Sequence, residues 1–136
     1  MRVWIILVFL ILASKLSSAY YEFDDNLKSA YTSIISLDFE KSNLLLIQEK
    51  KEKPGNDLVV LYYNYIDFLK AFISEEEIYF NSFKKRSGEN LKVLEKKEEN
   101  LTSPFHQYAK AEILIQQALV KVKFREYVSA ATDIRK

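Results

Sequence analysis

Residues 58–73 read LVVLYYNYIDFLKAFI, and their pattern decides the fold. Only Asn64, Asp67 and Lys70 interrupt the apolar run. They stand three apart, so on a helix they make one narrow polar stripe. Leu58, Leu61, Tyr62, Tyr65, Phe68, Leu69 and Phe72 spread over the remaining circumference. A helix this apolar needs cover on more than one side. It is expected at the centre of an all-helical domain, with neighbours from both directions in sequence. Its tyrosine hydroxyls either reach past the core edge to water, the commoner arrangement, or line a groove.

Helical periodicity continues on both sides of this stretch. Upstream, Phe23, Leu27, Ala30, Tyr31 and Ile34 form the stripe of a first helix, with Asp24 and Asp25 at its start. Asp38 can cap a second helix, with Leu44, Leu45 and Ile47 as its apolar residues. That helix runs into Glu49-Lys50-Lys51-Glu52-Lys53, read as a solvated helix end, and stops at Pro54-Gly55. Asn56 or Asp57 can cap the central helix. Downstream, Ser74-x-x-Glu77 reads as a capping box, with three glutamates at the positive end of the helix dipole. Phe80, Phe83, Ser87, Leu91 and Leu94 form the stripe of the fourth helix. Gly88 weakens its middle and points to a close approach or a bend.

After a break at residues 100–103, Ser103 and Pro104 suit the cap and first position of a fifth helix. Its stripe is read as Tyr108, Ala111, Leu114, Ala118, Leu119 and Val122. Residues 124–127 then turn into a sixth helix carrying Ala130, Ala131 and Ile134. Asn100-Leu101-Thr102 matches a glycosylation acceptor, a pattern common by chance.

Two Gly and two Pro in 136 residues leave too few turns for an all-β sandwich. The absence of cysteine rules out disulfides, thiolate metal sites and a lipidation cysteine. Apolar residues make up 49% of the chain, so a core can hold it without covalent staples. A net charge of +1 with interspersed signs lacks the basic face that a nucleic acid needs. The N-terminus reads charged, apolar, then small: Arg2, an apolar run from Val3 to Ala13, and Ser17-Ser18-Ala19. That is the order of a signal peptide cut after Ala19, which places residues 20–136 in the periplasm or otherwise outside the cytoplasm. The run falls short of the about 20 apolar residues that span a bilayer. Its retention as an N-terminal anchor, on a structural or sensor domain, is the alternative and the only route to a membrane.

One spacing occurs twice. Ala30 is followed by Phe39, Ser42, Leu46 and Pro54, and Ala118 by Tyr127, Ala130 and Ile134. A small residue lets the next helix approach, an aromatic fills the gap, and a second small residue accepts the next hairpin. This resembles the tetratricopeptide (TPR) repeat, most clearly in Asp38-Phe39-Glu40-Lys41-Ser42 and Phe124-Arg125-Glu126-Tyr127-Val128-Ser129-Ala130. With the signal-like start and the Tyr/Phe/Lys-rich body, the chain looks like the N-terminal portion of an exported TPR protein of Bacteroidota-type bacteria. The resemblance covers residues 23–54 and 104–136. Leu37 and Arg125 stand where the family's turn has glycine. A 34-residue step from the first copy lands on Asn64, Ile73 and Glu76, which fit badly, so the middle hairpin is longer and degenerate.

The resemblance implies an all-α right-handed superhelix of about six helices that binds a protein or peptide in its concave face. Lys28, Asn64, Asp67, Lys110, Gln117 and Lys121, off the packing stripe of each hairpin's first helix, are the candidate concave-face residues. A closed antiparallel bundle is the alternative fold. No catalytic, metal or cofactor site is read from the residues. His106 stands without a second His or Cys and is expected as a cap or surface residue. Gly55 and Gly88 are isolated, and no serine has a nucleophile-elbow context. A non-catalytic scaffold without cofactors is the expectation.

Overall fold

The computed structural model describes residues 21–98 and 103–135. The signal-like segment 1–19, the glycosylation tripeptide and Lys136 lie outside the described residues. Among the described residues all six regular elements are helices: α1 (Asp25–Ile35), α2 (Phe39–Glu52), α3 (Leu58–Ser74), α4 (Glu77–Glu98), α5 (Pro104–Lys123) and α6 (Tyr127–Ile134). They pair as three hairpins, α1/α2, α3/α4 and α5/α6. Each hairpin leans on the next: α3 packs on α1 and α2, and α5 on α3 and α4. Neither α1 nor α2 packs on α5 or α6. The fold is therefore an all-α stack of helical hairpins, with the middle hairpin long, rather than a closed bundle.

The three hairpin turns share one device. Leu37, Glu75 and Arg125 each take a left-handed backbone conformation, with φ of 62°, 57° and 65°. Each is followed by one acidic residue, Asp38, Glu76 or Glu126, and then by the second helix. At the end of α1, the Leu37 N–H donates to the Ile34 carbonyl (3.0 Å) and the Asp38 N–H to that of Ser33 (2.9 Å). At the end of α5, the Arg125 N–H donates to Val122 (3.0 Å) and the Glu126 N–H to Lys121 (2.8 Å). This is the Schellman motif, made twice in the same geometry. At α3 the simpler form appears, with Glu75 N–H donating to the Ala71 carbonyl (3.3 Å). Ser74 thus closes α3, and its hydroxyl accepts from the Glu76 N–H (3.3 Å). The capping box read at Ser74–Glu77 is overruled by this turn, because Ser74 still belongs to the helix before it.

α3 is the central element. Leu61, Tyr62 and Ile66 bury among Leu27, Ala30 and Ile34 of α1, Leu46 of α2, Leu91 and Leu94 of α4, and Ala109 and Ile113 of α5. Its C-terminal half forms a second, aromatic cluster: Phe68, Ala71 and Phe72 with Phe80, Phe83, Val120 and Phe124. Phe80 and Phe124 stack at 4.1 Å, nearly parallel. Counted from the left-handed residue, Phe68 and Phe80 occupy the places of Ala30 and Ser42 in the first hairpin. Large rings at small-residue positions hide the middle copy from a search by spacing.

Several helix faces differ from expectation. In α2 the buried residues are Ser42, Leu46 and Glu49, while Leu44 and Ile47 are exposed. In α5 the core takes the expected Ala118 together with His106, Ala109, Ile113, Gln116, Gln117 and Val120, while Tyr108, Leu119 and Val122 are exposed. In both helices the buried face mixes polar with apolar side chains, so the spacing of apolar residues alone does not mark it. Glu49, read as part of a solvated helix end, is fully buried. Its carboxylate accepts from Asn26 Nδ2 and Asn56 Nδ2, each at 2.9 Å, and so ties α1 and the α2–α3 link to α2. At Gly88 a Cβ would meet nothing within 4 Å, so no close approach is made there.

A left-handed residue other than glycine costs about 1–2 kcal/mol, part of which glycine returns as unfolded-chain entropy. Leu37→Gly and Arg125→Gly are each expected to raise stability by about 0.5–1 kcal/mol in urea unfolding. An unchanged or lowered midpoint for both would contradict the turn geometry.

Candidate binding groove

The first helices of the hairpins, α1, α3 and α5, lie side by side and form a groove of about 660 Å³. The segment entering α1 supplies Tyr21 and Phe23, and α1 supplies Tyr31. α3 contributes Leu58, Leu61, Tyr62 and Tyr65; α5 contributes Pro104, Phe105 and Tyr108. Among the described residues no charged side chain lines it. Tyr31 sits 5.8 Å from Tyr62, and Tyr65 stands edge-on to both at 6.4 Å, so the rings make walls and slots instead of a flat sheet. At one end Tyr21 stacks on Phe105 at 6.1 Å.

The end of the groove is pinned by polar groups. Asn56 Nδ2 donates to the Glu22 carbonyl (2.8 Å), and Asn56 Oδ1 accepts from the Glu22 N–H (3.3 Å). Lys53 pairs with Glu22 (2.8 Å) and with Asp24. The Lys53 hydrogen bond holds the Asp24 carboxyl below its usual value. The Tyr21 hydroxyl and His106 Nδ1 share a hydrogen bond of 2.8 Å. His106 is fully buried, against the expectation of a cap or surface residue, and its Nε2 has no partner among the described residues. Its place one turn into α5, under Tyr21, is set by tertiary packing that no local pattern announces.

Burial pushes the Tyr21, Tyr62 and Tyr65 phenols above the usual tyrosine value, and at Tyr65 the neighbouring Glu112 adds to it. All three are neutral hydroxyls near pH 7. Tyr65 Oη donates to Glu112 Oε1 at 2.5 Å. Glu112 also accepts from Gln116 Nε2 (3.3 Å), Gln116 Oε1 accepts from Asn64 Nδ2 (2.7 Å), and Asn64 Oδ1 accepts from Asn90 Nδ2 (3.2 Å). One wall of the groove is therefore fixed by a polar chain running through α5 and α3 to α4.

None of the six candidate residues lines the groove. Lys28 is exposed on α1, paired with Asp25 at 2.9 Å and 5.9 Å from the Phe23 ring. Lys110 is half-buried on α5. Asn64 is fully buried in the polar chain. Asp67 is buried, with Arg86 of α4 at 2.7 Å. Burial raises the Asp67 carboxyl above its usual value, with Arg86 and Lys70 opposing that shift. Gln117 Nε2 donates to Ser87 Oγ of α4 (2.9 Å), and Lys121 Nζ donates to Asp133 of α6 (2.5 Å). These four bind helix to helix and line no part of the groove. Asn64 and Asp67 of the α3 polar stripe are turned toward α4 and α5, because buried amides and carboxylates need partners that water does not supply there, while Lys70 lies over the Phe39 ring of α2 at 5.3 Å. The groove is lined by tyrosines together with Phe23, Leu58, Leu61, Pro104 and Phe105, and of the two arrangements open to the α3 tyrosines, Tyr62 and Tyr65 take the groove wall.

A second, smaller cavity of about 320 Å³ lies between α4, α5 and α6, with Gly88, Lys92, Glu95 and Lys121 on its walls. Among the described residues no three His, Cys, Asp or Glu side chains are grouped as a metal ion would require. No described helix is long and apolar enough to cross a membrane. Compared with known proteins, the chain matches no family model, no curated protein and no solved structure.

Asn64→Ala leaves the Gln116 and Asn90 amides short of a partner, which costs about 1–3 kcal/mol. Tyr31→Ala, at the exposed groove rim, is expected to cost clearly less. Paired thermal melts test this, and equal losses would remove the distinction between interior glue and groove wall.

Proposed function

We propose that the chain is an exported, non-catalytic TPR-like scaffold that takes an uncharged, apolar peptide segment of another protein into the α1/α3/α5 groove. The observation that carries this reading is the groove's lining: aromatic and aliphatic throughout, free of charge, and walled by rings held in fixed orientations. Stacked hairpins present such a surface on one side of the row, because each first helix adds a strip to it. Tyrosine suits peptide capture in particular. It offers a large rigid face at low entropic cost and a hydroxyl that can donate to a peptide carbonyl. The exposed rings of Tyr31, Phe105 and Tyr108 provide the first contacts, while Leu61 and Tyr62 form the floor. The partner is a protein segment rather than a nucleic acid, since no phosphate-binding cations line the groove among the described residues.

The extracytoplasmic setting rests on the N-terminal sequence: a charged start, an apolar run and Ser17-Ser18-Ala19 before the cut.

Two experiments test the proposal. A displayed library of short random peptides is selected on the wild-type chain and on Tyr31→Ala/Tyr108→Ala. An apolar consensus that binds the wild type at least about tenfold more tightly is expected. No enrichment, or equal binding to both, would sink the groove reading. N-terminal sequencing of the exported protein is expected to begin at Tyr20; an intact Met1 in the membrane fraction would instead favour the anchored domain.

A further inference from the structure

We propose that the segment held in the α1/α3/α5 groove is rich in proline and lies there as a polyproline II helix. The inference rests on the groove reading above and names the chemistry of the guest. It comes from what the groove offers to a peptide backbone.

The side-chain polar atoms of the lining residues are tyrosine hydroxyls and nothing else. These hydroxyls are not equally free. That of Tyr21 is held by His106 Nδ1 (2.8 Å), and that of Tyr65 donates its proton to Glu112 (2.5 Å). Tyr31 and Tyr108 are 40% and 53% exposed at the rim, where an O–H can turn toward a guest. Both belong to one group with Tyr62 and Tyr65. Burial is the main cause of the raised phenols at Tyr62 and Tyr65, but Tyr31 and Tyr108 add to the rise at Tyr62, and Tyr108 adds to it at Tyr65. The groove therefore has a cluster of hydroxyls set among apolar rings. Along the helices behind the rings, main-chain carbonyls accept from their own helix. In the segment entering α1, the Glu22 N–H and carbonyl are both bonded to Asn56.

This lining can donate to the carbonyls of a guest. Apart from the hydroxyls' own lone pairs, it has no carboxylate, amide or open helix carbonyl to accept from a guest N–H. An N–H buried without a partner is costly, and an ordinary extended segment brings one per residue. Proline brings none. Its carbonyl remains, and polyproline II makes no internal hydrogen bonds, so Tyr31 and Tyr108 find acceptors on the guest. A helical guest also hides its N–H groups, but it uses its carbonyls to do so and leaves the clustered hydroxyls without acceptors where water is displaced. Ring geometry favours the same guest. Tyr65 stands at 90° to Tyr31 and 79° to Tyr62, which sets faces beside edges for flat pyrrolidine rings to pack on. Both sides are stiff before they meet, so binding orders little.

The test is fluorescence anisotropy of the exported chain with a labelled polyproline peptide and with a peptide of equal length in which every second proline is valine. Valine keeps the apolar bulk and restores N–H groups. Polyproline is expected to bind at least about tenfold more tightly. Tyr31→Phe/Tyr108→Phe keeps both rings and is expected to weaken polyproline at least about fivefold, with an unchanged helical spectrum. Polyproline binding that is undiminished in this variant, or that survives Tyr31→Ala/Tyr108→Ala, would overturn the inference. So would a valine peptide, or a helix-forming apolar peptide, that binds as tightly as polyproline; if that binding is lost in Tyr31→Ala/Tyr108→Ala, the groove reading stands without the proline. Binding of neither labelled peptide also overturns the inference, and the groove reading falls with it only when the display selection enriches nothing.

Discussion

α3 buries side chains around nearly all of its circumference, and no single neighbour can cover it. Leu61 and Ile66 face one set of helices, while Phe68 and Phe72 face another. An apolar helix in water is tolerable only when several surfaces close on it together. α1 and α2 lean on it from the N-terminal side, and α4 and α5 from the C-terminal side. The three hairpins are held in a row because each of the outer two has its best apolar partner in the middle one. Without α3 the outer hairpins have nothing to share, since they do not pack on each other.

The same constraint explains where the polar groups go. A central helix has little water left on any side, so Asn64 and Asp67 must find protein partners. They find them in Gln116, Asn90 and Arg86, on the helices that close over that side. The open side of the row is left to the tyrosines, whose bodies pack while their edges stay accessible. Function on this reading follows from packing: the groove is the part of α3 that its neighbours flank but do not cover.

The hairpin turns show how much a repeat can vary in sequence while keeping its geometry. Leu37, Glu75 and Arg125 share no chemistry, yet all three occupy the left-handed position. The strain is tolerable because the capping hydrogen bonds, a Schellman pair at Leu37 and Arg125 and a single bond at Glu75, and the packing of the next helix hold the residue there. Phe68 and Phe80 replace small residues in the middle hairpin, and the aromatic cluster with Phe83 and Phe124 takes up their volume. Spacing rules tuned to small residues therefore find the outer hairpins and miss the middle one.

From residues alone came the helices, their approximate ends, the centrality of residues 58–73 and the likeness between the first and last hairpins. These depend on local periodicity, caps and breakers, which act within a few residues of where they are written. The buried face of α2, the interior position of His106 and Glu49, and the inward turn of Asn64, Asp67 and Gln117 were decided only by the tertiary structure. The buried faces of α2 and α5 mix polar with apolar side chains, Ser42 and Glu49 in one and His106, Gln116 and Gln117 in the other, so apolar spacing alone does not mark them. The groove follows the same logic. Tyrosines from residues 21, 31, 62, 65 and 108 meet across three helices, and their meeting depends on the tilt and spacing of whole hairpins, which no local pattern encodes.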